Sequence, residues 1–340
     1  MNTTNSQTIP APPGLISALL GGFDAITNHI SVILFPVILD VFLWLGPHLR
    51  LGTIVQRLLQ DINSLPGIDA QENLQAFSVT QEIWLVIAQR LNLFTLLRSY
   101  PVGVPSLMAS RLPIEAPLYT PQMVDVPSSW MVLGLWAGLP LLGLLIGTFY
   151  YLIVAQVSLT GQLDLRSALA QWTWSARQVV LLALMMGGIF MAVAIPGSCI
   201  LSLTMMSGLS LGGLSVMLYI ALMVWILFPL LFSAHGIFAY QHKVWKAIRH
   251  SATLTRLTLM RTSLLFLTVL LISEGLDTLW RVPPENSWLV LIGVTGHAFV
   301  TTSLLAASFI YYRDATRWMQ RLAQQSVMIG QDKKASEKLM

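Results

Sequence analysis

Six stretches of this chain each run for about twenty or more mostly apolar residues, the length that roughly 30 Å of hydrocarbon demands of a helix. They lie at about 29–47, 130–155, 178–205, 213–239, 260–280 and 287–312. Of the 340 residues, 55% are hydrophobic and 10% are charged, with a mean hydropathy of +0.70. A soluble domain carries about 25% charged residues, so an ordinary soluble enzyme is excluded. Pro36, Pro140, Pro196 and Pro229 fall inside the apolar stretches. Packed membrane helices tolerate such prolines because neighbours can pair the freed carbonyls. The expected fold is all-α: a polytopic membrane protein of six transmembrane helices, with interfacial amphipathic helices and one long external loop.

The organisation follows from what lies between the spans. Residues 1–13 are polar and hold three prolines, which predicts a disordered tail, and they lack the basic stretch that opens a cleaved signal peptide. Residues 14–28 read as a short interfacial helix. Residues 14–312 are then a single six-span membrane domain, and 313–340 a cytoplasmic amphipathic helix and tail. With both termini inside, the inner segments carry thirteen basic residues, including all five lysines. The outer segments carry six, Arg50, Arg57, Arg90, Arg98, Arg111 and Arg281. That bias predicts a bacterial-type plasma (inner) membrane protein with cytoplasmic N- and C-termini.

The external segment 48–129 reads as a lid and strap. In 81–99, Ile83, Ile87, Leu91 and Phe94 share one stripe at helical spacing, so an amphipathic helix is expected there, lying on the outer leaflet or capping the bundle. Pro101, Pro105, Pro113, Pro117, Pro121 and Pro127 then predict an extended strap. On the inner side, 240–256 sets Val244, Trp245, Ile248 and Ala252 together, ringed by Lys243, Lys246, Arg249 and His250. Residues 313–323 repeat the idea with Trp318, Met319 and Leu322 beside Arg313, Arg317 and Arg321. Lys243, Lys246, Arg249, Arg313, Arg317 and Arg321 are the expected contacts to lipid phosphates, either as simple anchors or as readers of an anionic lipid.

Ionisable residues inside a span are costly and so become candidates for function. Asp40 lies about 16 Å into the first span and His297 near 15 Å into the sixth, at 1.5 Å per residue. Glu274 and Asp277, three residues apart, share a face late in the fifth. Asp40, Glu274, Asp277 and His297 are therefore the candidates for binding a ligand or coupling an ion. The other reading is a structural hydrogen-bond network, with Asp277 reaching interfacial water. No metal site is expected: there is one cysteine, Cys199, and no H-E-x-x-H. No cofactor is implied, and a net charge of +4 is too small for a nucleic-acid binder. Gly208 to Gly212 matches G-x-S-x-G, which would make Ser210 a nucleophile only on a strand–turn–helix elbow, whereas a turn between membrane helices is expected there. Gly134, Gly138, Gly143 and Gly147 form two small-xxx-small pairs, suited to close packing within the chain or to a homodimer.

The run FPLLFSAHGIFAYQHKVWKAIRHSATLTR (228–256), followed by a membrane helix and the exit Phe309-Ile-Tyr311-Tyr312-Arg313-Asp314, resembles the membrane-domain group of bacterial glycerophosphodiester phosphodiesterases and related six-helix proteins. The likeness covers the C-terminal third. It departs at Ala252, where that group often has Trp, and the catalytic barrel has no counterpart. The resemblance implies a stand-alone, lipid-associated membrane module without hydrolase activity. The functional expectation is thus a non-enzymatic module that binds lipid or an apolar ligand or supports partner membrane proteins. Its rivals are a secondary transporter coupled through Asp40, Glu274 and His297, and an intramembrane hydrolase acting through Ser210.

Overall fold

A computed structural model describes residues 12–63, 74–206 and 212–337. Of the described residues about 80% are helical. Its helices are α1 (Leu15–Asn28), α2 (Leu34–Leu45), α3 (Gly52–Asn63), α4 (Leu74–Arg90), α5 (Met108–Arg111), α6 (Ser129–Thr160), α7 (Leu165–Met206), α8 (Gly212–Leu227), α9 (Ser233–Tyr240), α10 (Val244–Leu257), α11 (Leu259–Trp280) and α12 (Val290–Glu337). Two short strands, β1 (His48–Arg50) and β2 (Met123–Asp125), pair in parallel with His48 opposite Met123. Among the described residues five helical segments are long and apolar enough to cross a membrane: Ser129–Thr160, Leu165–Thr204, Gly213–Tyr240, Leu259–Trp280 and Val290–Gln325. A sixth arises if Leu15–Asn28 and Ile30–Leu45 count together as one broken span. This is a helical, multi-pass membrane protein.

The chain divides into two compact units. The first comprises Ile30–Tyr150 and Ile272–Thr302. Its core gathers Leu43 and Trp44 of α2, Leu107 and Met108 of the strap, and Val290 and Val294 of α12. The strap is tied down by polar side chains that pair its backbone. Trp44 Nε1 donates to the Glu285 carbonyl at 3.0 Å, and the Glu285 carboxylate accepts the Ile114 N–H at 2.9 Å. Arg111 donates to the Pro283 carbonyl and lies 3.9 Å from Glu285. On α6, a methyl placed on Gly143 would overlap the Leu97 carbonyl, and one on Gly147 would stand 2.8 Å from the Val102 carbonyl. Only glycine lets the strap backbone lie this close to the helix. Among the described residues a methyl placed on Gly134 or Gly138 would meet no atom of another segment within 4 Å.

The second unit comprises Met1–His29, Tyr151–Leu271 and Ser303–Met340. Phe232, Leu254, Leu265, Tyr311 and Tyr312 form its buried core with Ala18 and Ala315. Here the apolar run 213–240 does not stay helical throughout. Pro229 lacks an N–H, and the chain tightens into a 3₁₀ turn at Phe228–Leu230 before α9 begins. The buried Ser251 hydroxyl of α10 mends that break. It donates to the Pro229 carbonyl at 2.7 Å and accepts the Phe232 N–H at 3.1 Å. Gln178 of α7 does similar work at the start of α10, accepting the Val244 N–H at 3.0 Å.

Several expectations need correction. The first span is not one helix over 29–47: a 3₁₀ turn at Ile30–Ile33 leads into α2, whose 12 residues reach about 18 Å. The expected helix over 81–99 ends at Arg90. Asn92 takes extended backbone and caps a 3₁₀ turn, its Oδ1 accepting the N–H groups of Phe94 at 3.1 Å and Leu49 at 3.2 Å. The stripe breaks there: Ile83 and Ile87 are exposed while Leu93 and Leu97 are buried. Residue 313 starts no separate helix, because no glycine or proline interrupts 297–325 and α12 runs straight through. On α10 the buried stripe is Val244, Ala247, Ser251 and Leu254, with Trp245 on the exposed side among the basic residues. Residues 1–11 and 207–211, including Ser210, lie outside the described residues.

The glycine contrast is testable. Gly143→Val is expected to destabilise the detergent-solubilised protein by about 1–3 kcal/mol through overpacking. Gly134→Val should shift stability by less than about 0.5 kcal/mol, as surface changes usually do. Equal melting temperatures for the two variants would show that the strap is not seated on α6.

Candidate functional site

The break at Pro229 has a consequence for the surface. Where α8 gives way to the 3₁₀ turn, a cleft of about 770 Å³ opens, within the ~300–1,000 Å³ range of small-molecule sites. One wall comes from Val224, Trp225 and Phe228, and another from Leu259. α10 supplies Ala252, Thr255 and Arg256. Among the described residues Arg256 is the one charged side chain in the lining. The Thr255 hydroxyl is buried and, among the described residues, has no hydrogen-bond partner. Ala252 is the smallest side chain that α10 presents to the cleft, and its size keeps the space open. The chemistry is that of a carbon-lined slot with a cation at its edge.

A second, smaller hollow of about 300 Å³ lies along the same helix, lined by Trp245, Lys246, Arg249, His250 and Thr253 with Met319 of α12. The Arg249 guanidinium sits 5.0 Å from the Trp245 ring centroid, a cation–π contact that holds the side chain. The Tyr312 hydroxyl is 2.9 Å from His250 Nδ1. Burial, helped by the Lys246 ammonium, pulls the His242 imidazole below the usual histidine value. His250 is lowered in the same direction by burial, then by His242 and Lys246. Both rings are therefore neutral at pH 7, and the positive charge of the hollow belongs to Lys246 and Arg249. Among the described residues neither forms a salt bridge.

The buried acids fall into different roles. Asp40 is fully buried, and its carboxylate accepts from Ser106 Oγ at 2.5 Å, Met108 N at 2.9 Å and Leu107 N at 3.1 Å. Those bonds start the short helix α5 and fasten the strap to α2. His297 Nδ1 meets Asp277 Oδ1 at 2.7 Å, and Arg281 stands 3.8 Å from the same carboxylate. His297 Nε2 is buried and without a partner among the described residues. Glu274 is exposed. Helical spacing put Glu274 and Asp277 on a common face, yet the 100° step per residue leaves them about 60° apart, enough to send one inward and the other outward. The structure thus joins His297 to Asp277 and leaves Glu274 out of the pair.

The other candidates are placed as follows. Lys243, Arg317 and Arg321 are exposed, and Arg313 bonds to Asp314 at 2.8 Å. His235 is buried with Nε2 2.8 Å from Ser308 Oγ. Cys199 is exposed. Among the described residues no three His, Cys, Asp or Glu side chains gather as metal ligands would. Sequence reading missed the cleft, although Pro229 in an apolar run and a small residue at 252 were its signals. Comparisons with protein-family models, with curated proteins and with solved structures give no match, so the likeness of residues 228–256 rests on its residues alone.

Asp40 and Glu274 can be separated by experiment. Asp40→Asn puts an amide donor among three donors and should cost about 1–3 kcal/mol of stability, seen as a lower melting temperature in detergent. Glu274→Gln, on an exposed face, should melt with the wild type. The reverse order would overturn the structural role given to Asp40.

Proposed function

We propose that this chain is a non-enzymatic membrane module that holds the apolar chain of a lipid-like amphiphile in the cleft beside Pro229. The observation that carries the reading is the cleft itself: apolar walls, one cation, and room for a small-molecule ligand. In the topology that goes with it, the broken pair α1 and α2 forms the first of six crossings, and both termini face the cytoplasm of a bacterial-type inner membrane. The 48–129 segment is then an external lid and strap. The α10 elbow lies at the inner interface, where a lipid tail would enter the cleft from the bilayer. Membrane lipids are its partners, and the open Gly134 and Gly138 would accept another membrane helix, from a second copy or a different protein.

A second reading draws on one observation. The His297–Asp277 pair, with a buried imidazole nitrogen left unpaired, is the kind of group that carries a proton in a secondary transporter. In liposomes loaded with a pH-reporting dye, that reading expects solute-driven proton movement that His297→Gln abolishes. Movement unaffected by the substitution, or none with any solute, removes it.

For the lipid module the test is to fill the cleft. Ala252→Trp is expected to reduce co-purifying lipid, measured by native mass spectrometry after mild solubilisation, by about tenfold, equivalent to about 1.4 kcal/mol, with unchanged melting temperature. Full lipid retention in this variant, or a wild type that carries none, would overturn the proposal.

A further inference from the structure

The cleft and the basic hollow share α10. Ala252, Thr255 and Arg256 line the first, while Lys246, Arg249, His250 and Thr253 line the second. Arg249 and Arg256 are seven residues apart, two helical turns or about 10.5 Å along the axis. Both are exposed, on the side of α10 away from its buried stripe. A lipid whose tail lies in the cleft would bring its headgroup to this row of cations.

Resting on the lipid-binding reading above, we infer that Lys246, Arg249 and His250 form a headgroup site selective for phospholipids of net negative charge. Three features separate it from a general basic surface. First, Arg249 is held on the Trp245 ring 5.0 Å away, which reduces the side-chain entropy lost when its guanidinium meets a phosphate. Second, the Tyr312 hydroxyl stands 2.9 Å from His250 Nδ1, and in the tautomer in which it donates there the imidazole proton is on Nε2, giving a neutral ring that is an additional donor. Third, among the described residues no carboxylate lines the hollow. The ammonium of a zwitterionic headgroup would find no anion there, and Arg249 already occupies the ring that could receive it. Either lipid brings one phosphate charge to Lys246 and Arg249, but phosphatidylglycerol adds no cation of its own, whereas phosphatidylcholine leaves its choline unpaired.

Native mass spectrometry of the full-length protein decides the matter, using equimolar phosphatidylglycerol and phosphatidylcholine with identical acyl chains. About tenfold preference for phosphatidylglycerol is expected, falling to near parity in Lys246→Gln/Arg249→Gln, since each basic group near an anionic lipid contributes comparably. Arg166→Gln, an exposed cation elsewhere, should keep the preference, and the melting temperatures of both variants should match the wild type. Equal retention of both lipids, with Ala252→Trp losing both, would overturn the headgroup site and leave the cleft reading intact. Retention of neither would overturn both. Displacement of phosphatidylglycerol by millimolar inorganic phosphate would identify a site for free phosphate and overturn the lipid assignment. A preference that Arg166→Gln removes as well as the double substitution does would show bulk charge rather than a site.

Discussion

A backbone N–H or carbonyl left unpaired in hydrocarbon costs several kcal/mol, and this chain departs from the helix repeatedly within an apolar sequence. Polar side chains make the departures possible. Ser251 bonds both the Pro229 carbonyl and the Phe232 N–H across the break between α8 and α9. Asp40 accepts the N–H groups of Leu107 and Met108, and Asn92 those of Leu49 and Phe94. Gln178 and Glu285 complete the pattern at Val244 and Ile114. These are scarce polar residues in a carbon-rich chain, and each is spent on main-chain geometry that the apolar residues cannot support alone.

The same requirement produces the cleft. Without Ser251 the Pro229 break would leave a buried N–H and a partly buried carbonyl without this partner, the buried one costing about 1–3 kcal/mol. With it, α8 can end and α9 can start on a displaced course. Ala252, the next residue of α10, is too small to fill the gap, and Arg256 one turn on gives the gap its charge. Structural and binding roles therefore alternate along one helix. Val244, Ala247, Ser251 and Leu254 face inward, while Trp245, Arg249 and Arg256 remain available outside.

Legibility in the sequence depended on the range of the interaction. The spans over 130–155, 178–205 and 260–280 fall within α6, α7 and α11, though α7 begins already at Leu165, because length and hydropathy are properties of a segment by itself. The first span did not, since the turn at Ile30–Ile33 depends on local backbone choices that hydropathy does not register. Among the ionisable residues, spacing along α11 marked both Glu274 and Asp277. Which of the two reaches His297 depends on the rotation of α11 against α12, and no pattern within either helix specifies that rotation. Asp40 was visible as a buried acid, but its partners lie 66 to 68 residues away in the strap.

What the sequence determined by itself is the class of molecule: apolar segments of membrane length, prolines that interrupt them, and basic residues gathered at α10 and after α12's apolar part. Each follows from transfer free energy or backbone chemistry acting within a few residues. Tertiary structure alone decided that Gly143 and Gly147 receive the strap while Gly134 and Gly138 stay open. It also decided that Trp245 joins the cations, and that a cleft forms beside Pro229. Those outcomes are set by packing between segments distant in sequence, where shape and the pairing of backbone polar groups select one arrangement from many with the same hydropathy.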